Sequence, residues 1–293
     1  MFYESIEEIV KAAEDADLRI SEAVLRDQAA QMELSEEEVY LQMEENFDVM
    51  CESVRKGQAE GLRSTSGLTG PEGFLMALYA KGSGGLSGSF MTGVMARTLA
   101  VSCCNASMGK IVAAPTAGSC GILPGCLVSL YEEGKYSKKE LVMAAFTAGA
   151  VGMVIASRAT IAGSEGGCQA ECGAAGAMAA AALAELGGGS PRQCADACSI
   201  VLACQMGLVC DPVAGLVEIP CIKRNVSGVM NAFAAADMVL AGIPAYIPAD
   251  EAIDAMGEVG RDMPRQLRET SLGGLAATPT GEKLREKVFG KND

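Results

Sequence analysis

The sequence predicts an all-α protein, a single mostly helical domain with its chemistry in glycine-rich loops. Three observations predict it. Apolar residues recur at spacings of three and four, uncharged Ala/Val/Leu runs exceed strand length, and no stretch sustains apolar/polar alternation. Near the start, Ile6, Ile9, Val10 and Ala13 form one helical stripe. Val39, Leu41, Met43, Phe47 and Met50 form another, with Ser35-Glu36-Glu37-Glu38 as a capped start. Residues 5–55 therefore read as two or three amphipathic helices. Beyond residue 60 the composition turns to Gly, Ala, Ser and Cys, and helices are expected over 90–107, 138–161, 173–186, 192–204, 226–241 and 249–260. Neither a linker nor a repeat divides the chain. Residues 1–60 are expected to pack as acidic helices on a main domain spanning 61–293, the two forming one continuous globule.

Charge and composition exclude several functions. The 293 residues carry a formal charge of −14, with no histidine, no tryptophan and 12 cysteines. Seventeen acidic and five basic residues fall in the first 60, so most of the negative charge belongs to the N-terminal helices, where it reads as a solvated face. Such an excess argues against nucleic acid and anionic membranes as partners. Without histidine there is no imidazole base, no His-containing triad and no Cys/His zinc site. The uncharged run 142–156 has 15 residues, short of the roughly 20 needed to cross a bilayer. It reads as a buried central helix. The N-terminus is acidic where a signal peptide is basic, so a cytoplasmic protein with reduced thiols is expected.

The cysteines concentrate the chemistry. One block is Gly163-Ser164-Glu165-Gly166-Gly167-Cys168-Gln169-Ala170-Glu171-Cys172-Gly173. A second runs Cys210-Asp211-Pro212-Val213-Ala214-Gly215-Leu216-Val217-Glu218-Ile219-Pro220-Cys221, followed by Ile222-Lys223-Arg224-Asn225. Neither holds a zinc-ribbon CxxC pair or a ferredoxin run. Glycine or proline neighbours place Cys168, Cys210 and Cys221 at element ends, where thiolates can converge near backbone N–H groups. The competing reading is that cysteines are small buried hydrophobes. That reading is preferred for Cys103, Cys104, Cys126, Cys194, Cys198 and Cys204, while Cys172, one turn from Cys168, fits either.

Together with Val112-Ala113-Ala114-Pro115-Thr116-Ala117-Gly118-Ser119-Cys120-Gly121-Ile122-Leu123-Pro124-Gly125, these motifs resemble the iron–sulfur-dependent L-serine dehydratases. The match is to their α subunit or α domain, from about Ser64 to Gly260-Arg261-Asp262-Met263 and Glu269-Thr270-Ser271-Leu272-Gly273-Gly274-Leu275-Ala276. The resemblance implies a [4Fe–4S] cluster held by Cys168, Cys210 and Cys221, with one iron open to the substrate hydroxyl. It also implies deaminating dehydration of L-serine to pyruvate and ammonia, without pyridoxal phosphate. For the substrate carboxylate, the 115–121 loop offers Thr116, Gly118 and Ser119, and the 64–70 loop offers Ser66 and Thr69. Asn105, Arg224 and Asn225 adjoin the motifs. Base candidates near the motifs are Lys110, Glu165, Glu171 and Asp211, with Lys110 and Glu171 put first and a partner-chain residue equally admissible.

Two departures shape the expectation. Single-chain relatives carry a further β domain with a Ser-His-Thr motif, which this histidine-free chain lacks. It therefore resembles the α subunit of a heteromeric enzyme with a separate β subunit, and homo-oligomerisation stays open. Some relatives also end in a cluster-binding cysteine, whereas no cysteine follows Cys221 here. Rival readings are a cluster-dependent lyase for L-cysteine or L-threonine, and a non-catalytic metal-binding protein.

Overall fold

The alanine-rich run after Cys172 becomes the centre of the molecule. In the computed structural model, which describes residues 3–290, the helices are α1 (Ile6–Asp15), α2 (Ile20–Met32), α3 (Glu36–Gly57), α4 (Glu72–Ser83), α5 (Gly88–Ala106), α6 (Ile122–Glu132), α7 (Lys138–Arg158), α8 (Gly163–Gly166), α9 (Ala174–Leu186), α10 (Pro191–Gln205), α11 (Cys221–Leu240), α12 (Ala249–Asp262) and α13 (Pro279–Phe289). No strand forms among these residues; one isolated bridge joins Cys210 to Arg268. The fold is all-α. Residues 291–293, the end of the cysteine-free stretch after Cys221, lie outside the described residues.

Every α9 residue from Ala174 to Glu185 is buried, and α6, α7, α10 and α11 pack around it. Alanine suits this position, combining high helix propensity with a side chain small enough for close approach on all sides. The N-terminal helices share the same core, since Ile9, Val10, Phe47 and Val54 join the cluster that includes α7 and α9. Polar ties reinforce the seam. Asp250 of α12 accepts from the backbone N–H groups of Ile6 (2.8 Å) and Glu7 (3.0 Å), placing a carboxylate at the α1 N-terminus. Buried Glu185 accepts from Ser21 N–H and the Thr147 hydroxyl.

Several boundaries follow from local chemistry. Ser35, Ser137 and Ser190 each cap a helix reciprocally with a Glu or Gln three residues on. α4, α6 and α13 arise where the sequence reading named no helix. In α6, Pro124 sits in the first turn, where a missing N–H is tolerated, so a breaker residue masked the helix. In α13, polar residues hide the period, while Thr278 caps and Pro279 opens the first turn. α11 begins at Cys221, not near residue 226, because the polar Lys223-Arg224-Asn225 occupies its first turns.

Two further expectations are corrected. Helix α7 has 21 residues, so length does not separate it from a membrane span; it is its burial against α2, α3 and α9 that marks a core helix. Cys204, read as a packing residue, is exposed, because it lies on the outer face of the last turn of α10.

Candidate active site

The cysteine segments meet at one end of α9. The chain leaves α7, makes the short α8 turn, and passes through Gly167 at φ +76°, a conformation that favours glycine. A Cβ at Gly167 would also stand 2.8 Å from Leu208 O. Cys168 then opens a π-helical turn, Gln169–Gly173, that runs directly into α9. Such wide turns recur at functional sites, since they rotate side chains relative to an α-helical register. Fully buried Gln169 fastens this turn. Its side chain donates to Met256 O (3.0 Å) and accepts from Gly207 N–H (2.7 Å), while its own N–H donates to Leu208 O (3.0 Å). The turn bearing Cys168 is thereby tied to the strap leading to Cys210.

Cys210 is held from its other side. Its N–H donates to Leu267 O (2.8 Å) and its carbonyl accepts from Glu269 N–H (2.7 Å). Next to it, Asp211 accepts from Leu275 N–H at 2.7 Å and lies 2.8 Å from Arg224 Nη1, a charge contact, while that nitrogen also donates to Val209 O. Cys221 opens α11, and Asn225 one turn later donates to Cys221 O and Gly118 O and accepts from Gly121 N–H. All of Asn225's polar atoms therefore serve to lock the 117–121 loop onto α11.

Glu171 lies among these segments. Its Oε1 accepts from the Thr116 hydroxyl (2.7 Å), which also lies 3.2 Å from Ser119 Oγ, and its Oε2 stands 3.9 Å from Cys210 Sγ. Gly118 and Gly163 leave room for this carboxylate, because a Cβ at either would come within 2.8 Å of it. The Ser119, Cys120 and Gly121 N–H groups are engaged by Thr116 O, Ala117 O and Asn225, so the loop presents fewer free donors than its glycine content suggests.

The electrostatics follow from burial and one cation. Cys168 is drawn below its ordinary thiol value, chiefly by a hydrogen bond with Cys172 and further by the Arg224 guanidinium. That same bond pushes the Cys172 thiol well up. Burial raises Cys210, and it raises Cys221 to about 12, with the neighbouring Cys168 and Glu171 charges adding in both cases. Burial likewise lifts the Glu171 carboxyl above its ordinary range. Burial opposes the Arg224 charge, yet Cys168 and Asp211 more than offset that and hold it protonated.

A neighbouring cavity of about 490 Å³ is lined by Ser66, Asn105, Ala117 and Glu218, with Val288 and Phe289 of α13 on its rim. Asn105 Nδ2 donates to Ala117 O at 3.3 Å. Ser66 is drawn inward by Ser64 and Leu68 N–H, while Thr69 gives its hydroxyl to buried Glu218 at 2.5 Å. Lys110 is exposed, and its side chain makes no ion pair or hydrogen bond with this group among the described residues.

Comparison with known proteins bears on this arrangement. A profile of the family described as "Serine dehydratase alpha chain" matches residues 15–276. The chain belongs to the serine dehydratase alpha chain family. It is 45% identical over 288 residues to the "Probable L-serine dehydratase, alpha chain" of Bacillus subtilis (strain 168), covering 98% of this chain and 96% of the relative. The "L-serine dehydratase, alpha chain" of Peptoniphilus asaccharolyticus is 43% identical, with 98% of each chain covered. The Escherichia coli (strain K12) "L-serine dehydratase TdcG" is 46% identical over 181 residues, 61% of this chain but 40% of that longer protein.

The structure brings together Cys168, Cys210, Cys221, Glu171, Thr116, Gly118 and Arg224. It places Ser66 and Asn105 at the adjoining cavity, gives Asn225 and Thr69 structural partners, and leaves Lys110 apart. Sequence reasoning missed Gln169, Asp211 as the anchor of the 275 segment, and Glu218 as the partner of Thr69. All three lie inside the quoted motifs, Gln169 and Asp211 directly after a cysteine and Glu218 three residues before one, so their place in those motifs was the available signal.

The residues also fit an iron–sulfur cluster. Three buried thiols stand beside the half-buried Arg224 guanidinium, which offsets the negative charge that a thiolate-bound cluster carries. Among the described residues no three His, Cys, Asp or Glu side chains close on one point as ligands of a single ion do. Ligands of a cluster bind different irons and stand around a larger body.

Proposed function

We propose that this chain is the α subunit of a two-subunit L-serine dehydratase, converting L-serine to pyruvate and ammonia, with Cys168, Cys210 and Cys221 holding a [4Fe–4S] cluster. The observation that carries it is the meeting of three buried thiols on separately anchored segments, in a chain aligned end to end with alpha chains of that name. When bound by three thiolates, such a cluster supplies an open iron as a Lewis acid for the departing hydroxide, so the leaving group need not be protonated first.

The chain's own residues supply the rest. Ser66 and Asn105 face the 490 Å³ cavity as donors for the substrate carboxylate, a mouth of the size that small-molecule sites use. Thr116 fixes the Glu171 carboxyl with Oε2 turned toward Cys210. From there Glu171 holds or takes a proton beside the reacting carbon, and burial raises its affinity for that proton above that of an ordinary carboxylate, the direction a general base needs. Gln169 and Asn225 keep the two thiol-bearing turns in register, which is where catalytic precision resides.

The test is anaerobic reconstitution with the partner subunit. Pyruvate should form from L-serine, and Cys210→Ser should abolish both activity and the visible absorbance of the cluster. Product from L-cysteine or L-threonine with none from L-serine overturns the substrate assignment. Full activity in a folded Cys210→Ser variant overturns the ligand assignment.

A further inference from the structure

We propose that the cavity between α12 and the 265–270 segment is a binding site for a small oxyanion bearing two or more negative charges, a phosphate or a polycarboxylate. The chain has 12 arginines in an acidic background of net charge −14. Eight of them, from Arg19 to Arg285, lie within 4.0 Å of a carboxylate. The others, Arg63, Arg261, Arg265 and Arg268, make no ion pair among the described residues. Three of those four line one open cavity of about 790 Å³.

Unpaired guanidinium groups gathered on one concave surface repel one another, an arrangement that an acidic protein could relieve with any nearby carboxylate. Two carboxylates do line the cavity, and neither is used for this. Glu165 accepts from the Thr160 hydroxyl at 2.7 Å, and the Arg268 guanidinium reaches only the Glu165 backbone carbonyl, at 3.4 Å. Arg268 Nε is buried and has no hydrogen-bond partner. A buried unsatisfied N–H of a charged group is unfavourable unless a ligand completes it. The planar guanidinium fork matches oxyanion geometry bidentately, and the cavity volume lies in the range of small-molecule sites, about 300–1,000 Å³.

The position also links this site to the cysteines. The wall carrying Arg265 and Arg268 is the segment whose Leu267 carbonyl and Glu269 N–H bond the Cys210 backbone. An oxyanion drawn onto these arginines would tighten the segment that holds Cys210 without touching its thiol. The serine reading is not needed for this inference, since it rests on charge and geometry in the chain alone.

Thermal unfolding and hydrogen exchange of the full chain decide it, with inorganic phosphate and citrate as probes and potassium chloride at equal ionic strength as reference. Either probe should raise the unfolding temperature beyond chloride and slow exchange over residues 265–270; preference for phosphate or citrate names the ligand class. Arg261→Gln/Arg265→Gln removes two exposed side chains and should weaken apparent binding about tenfold or more. Arg55→Gln/Lys56→Gln removes equal charge from α3 and should leave binding unchanged. A response no larger than that of chloride, or equal losses in the two double variants, overturns the proposal.

Discussion

Gln169 shows how much one side chain can organise. It is fully buried and bridges the Cys168 turn, α12 and the strap to Cys210 with both ends of its amide. Gln169→Leu leaves the buried Met256 carbonyl unpaired and removes the partner of the Gly207 N–H, so stability should fall by about 1–3 kcal/mol, read by urea unfolding. The reconstituted variant should also hold less iron, because two thiol-bearing segments lose their common tie. Glu171 makes a prediction of opposite sign. Burial raises its folded-state proton affinity above the unfolded value. The stability gained from its protonated form is therefore present below the ordinary carboxylate range and is lost as pH rises through the raised value. For the metal-free chain, Glu171→Gln should remove that loss, so its stability relative to wild type should improve steadily above about pH 4.5. Urea unfolding across pH checks this.

Among the elements, the joint between the 117–121 loop and α11 matters most. Asn225 alone links Gly118, Gly121 and the carbonyl of Cys221. Asn225→Ala should unfasten the loop that carries Thr116 and Ser119, raising KM for serine and lowering iron retention while the far helices stay protected from hydrogen exchange. Helix α11 was only partly legible beforehand. Its apolar stripe beyond residue 226 was readable, but its start was hidden, because Cys221, Arg224 and Asn225 were chosen by the site and not by helical amphipathicity. Helix α6 was obscured for a different reason, as Pro124 and Gly125 are breakers in most settings and harmless or useful in a first turn. By contrast the Ser-x-x-Glu caps of α3 and α7 declare themselves locally, since both partners lie within four residues.

At the scale of the molecule, thiol accessibility is set by packing around α9. Ten of the twelve cysteines are buried, Cys51 is half-buried and Cys204 is exposed. Burial raises Cys120 and Cys198 to about 12, so both are protonated as well as inaccessible at neutral pH. Alkylation of the native metal-free chain should therefore mark Cys204 first, with the core thiols reacting only on unfolding, as peptide mass spectrometry would show. A fast-reacting Cys126 or Cys198 would contradict this core.

The sequence by itself determined the helical class, the amphipathic helices of the N-terminal region, the separation of acidic surface from small-residue core, and the motifs that carry the family. These are local or compositional, expressed in periodicity, capping and the identity of contiguous residues. Only the tertiary structure decided which groups meet. It joined Glu171 to Thr116 and Cys210, spent Asn225 on loop locking, set Lys110 outside the site, and gathered three unpaired arginines from 261–268 against Glu165. Those contacts span up to 107 residues of chain, and no periodicity encodes them. They exist because a helix of alanines allows its neighbours to close around it and brings distant loops to one end.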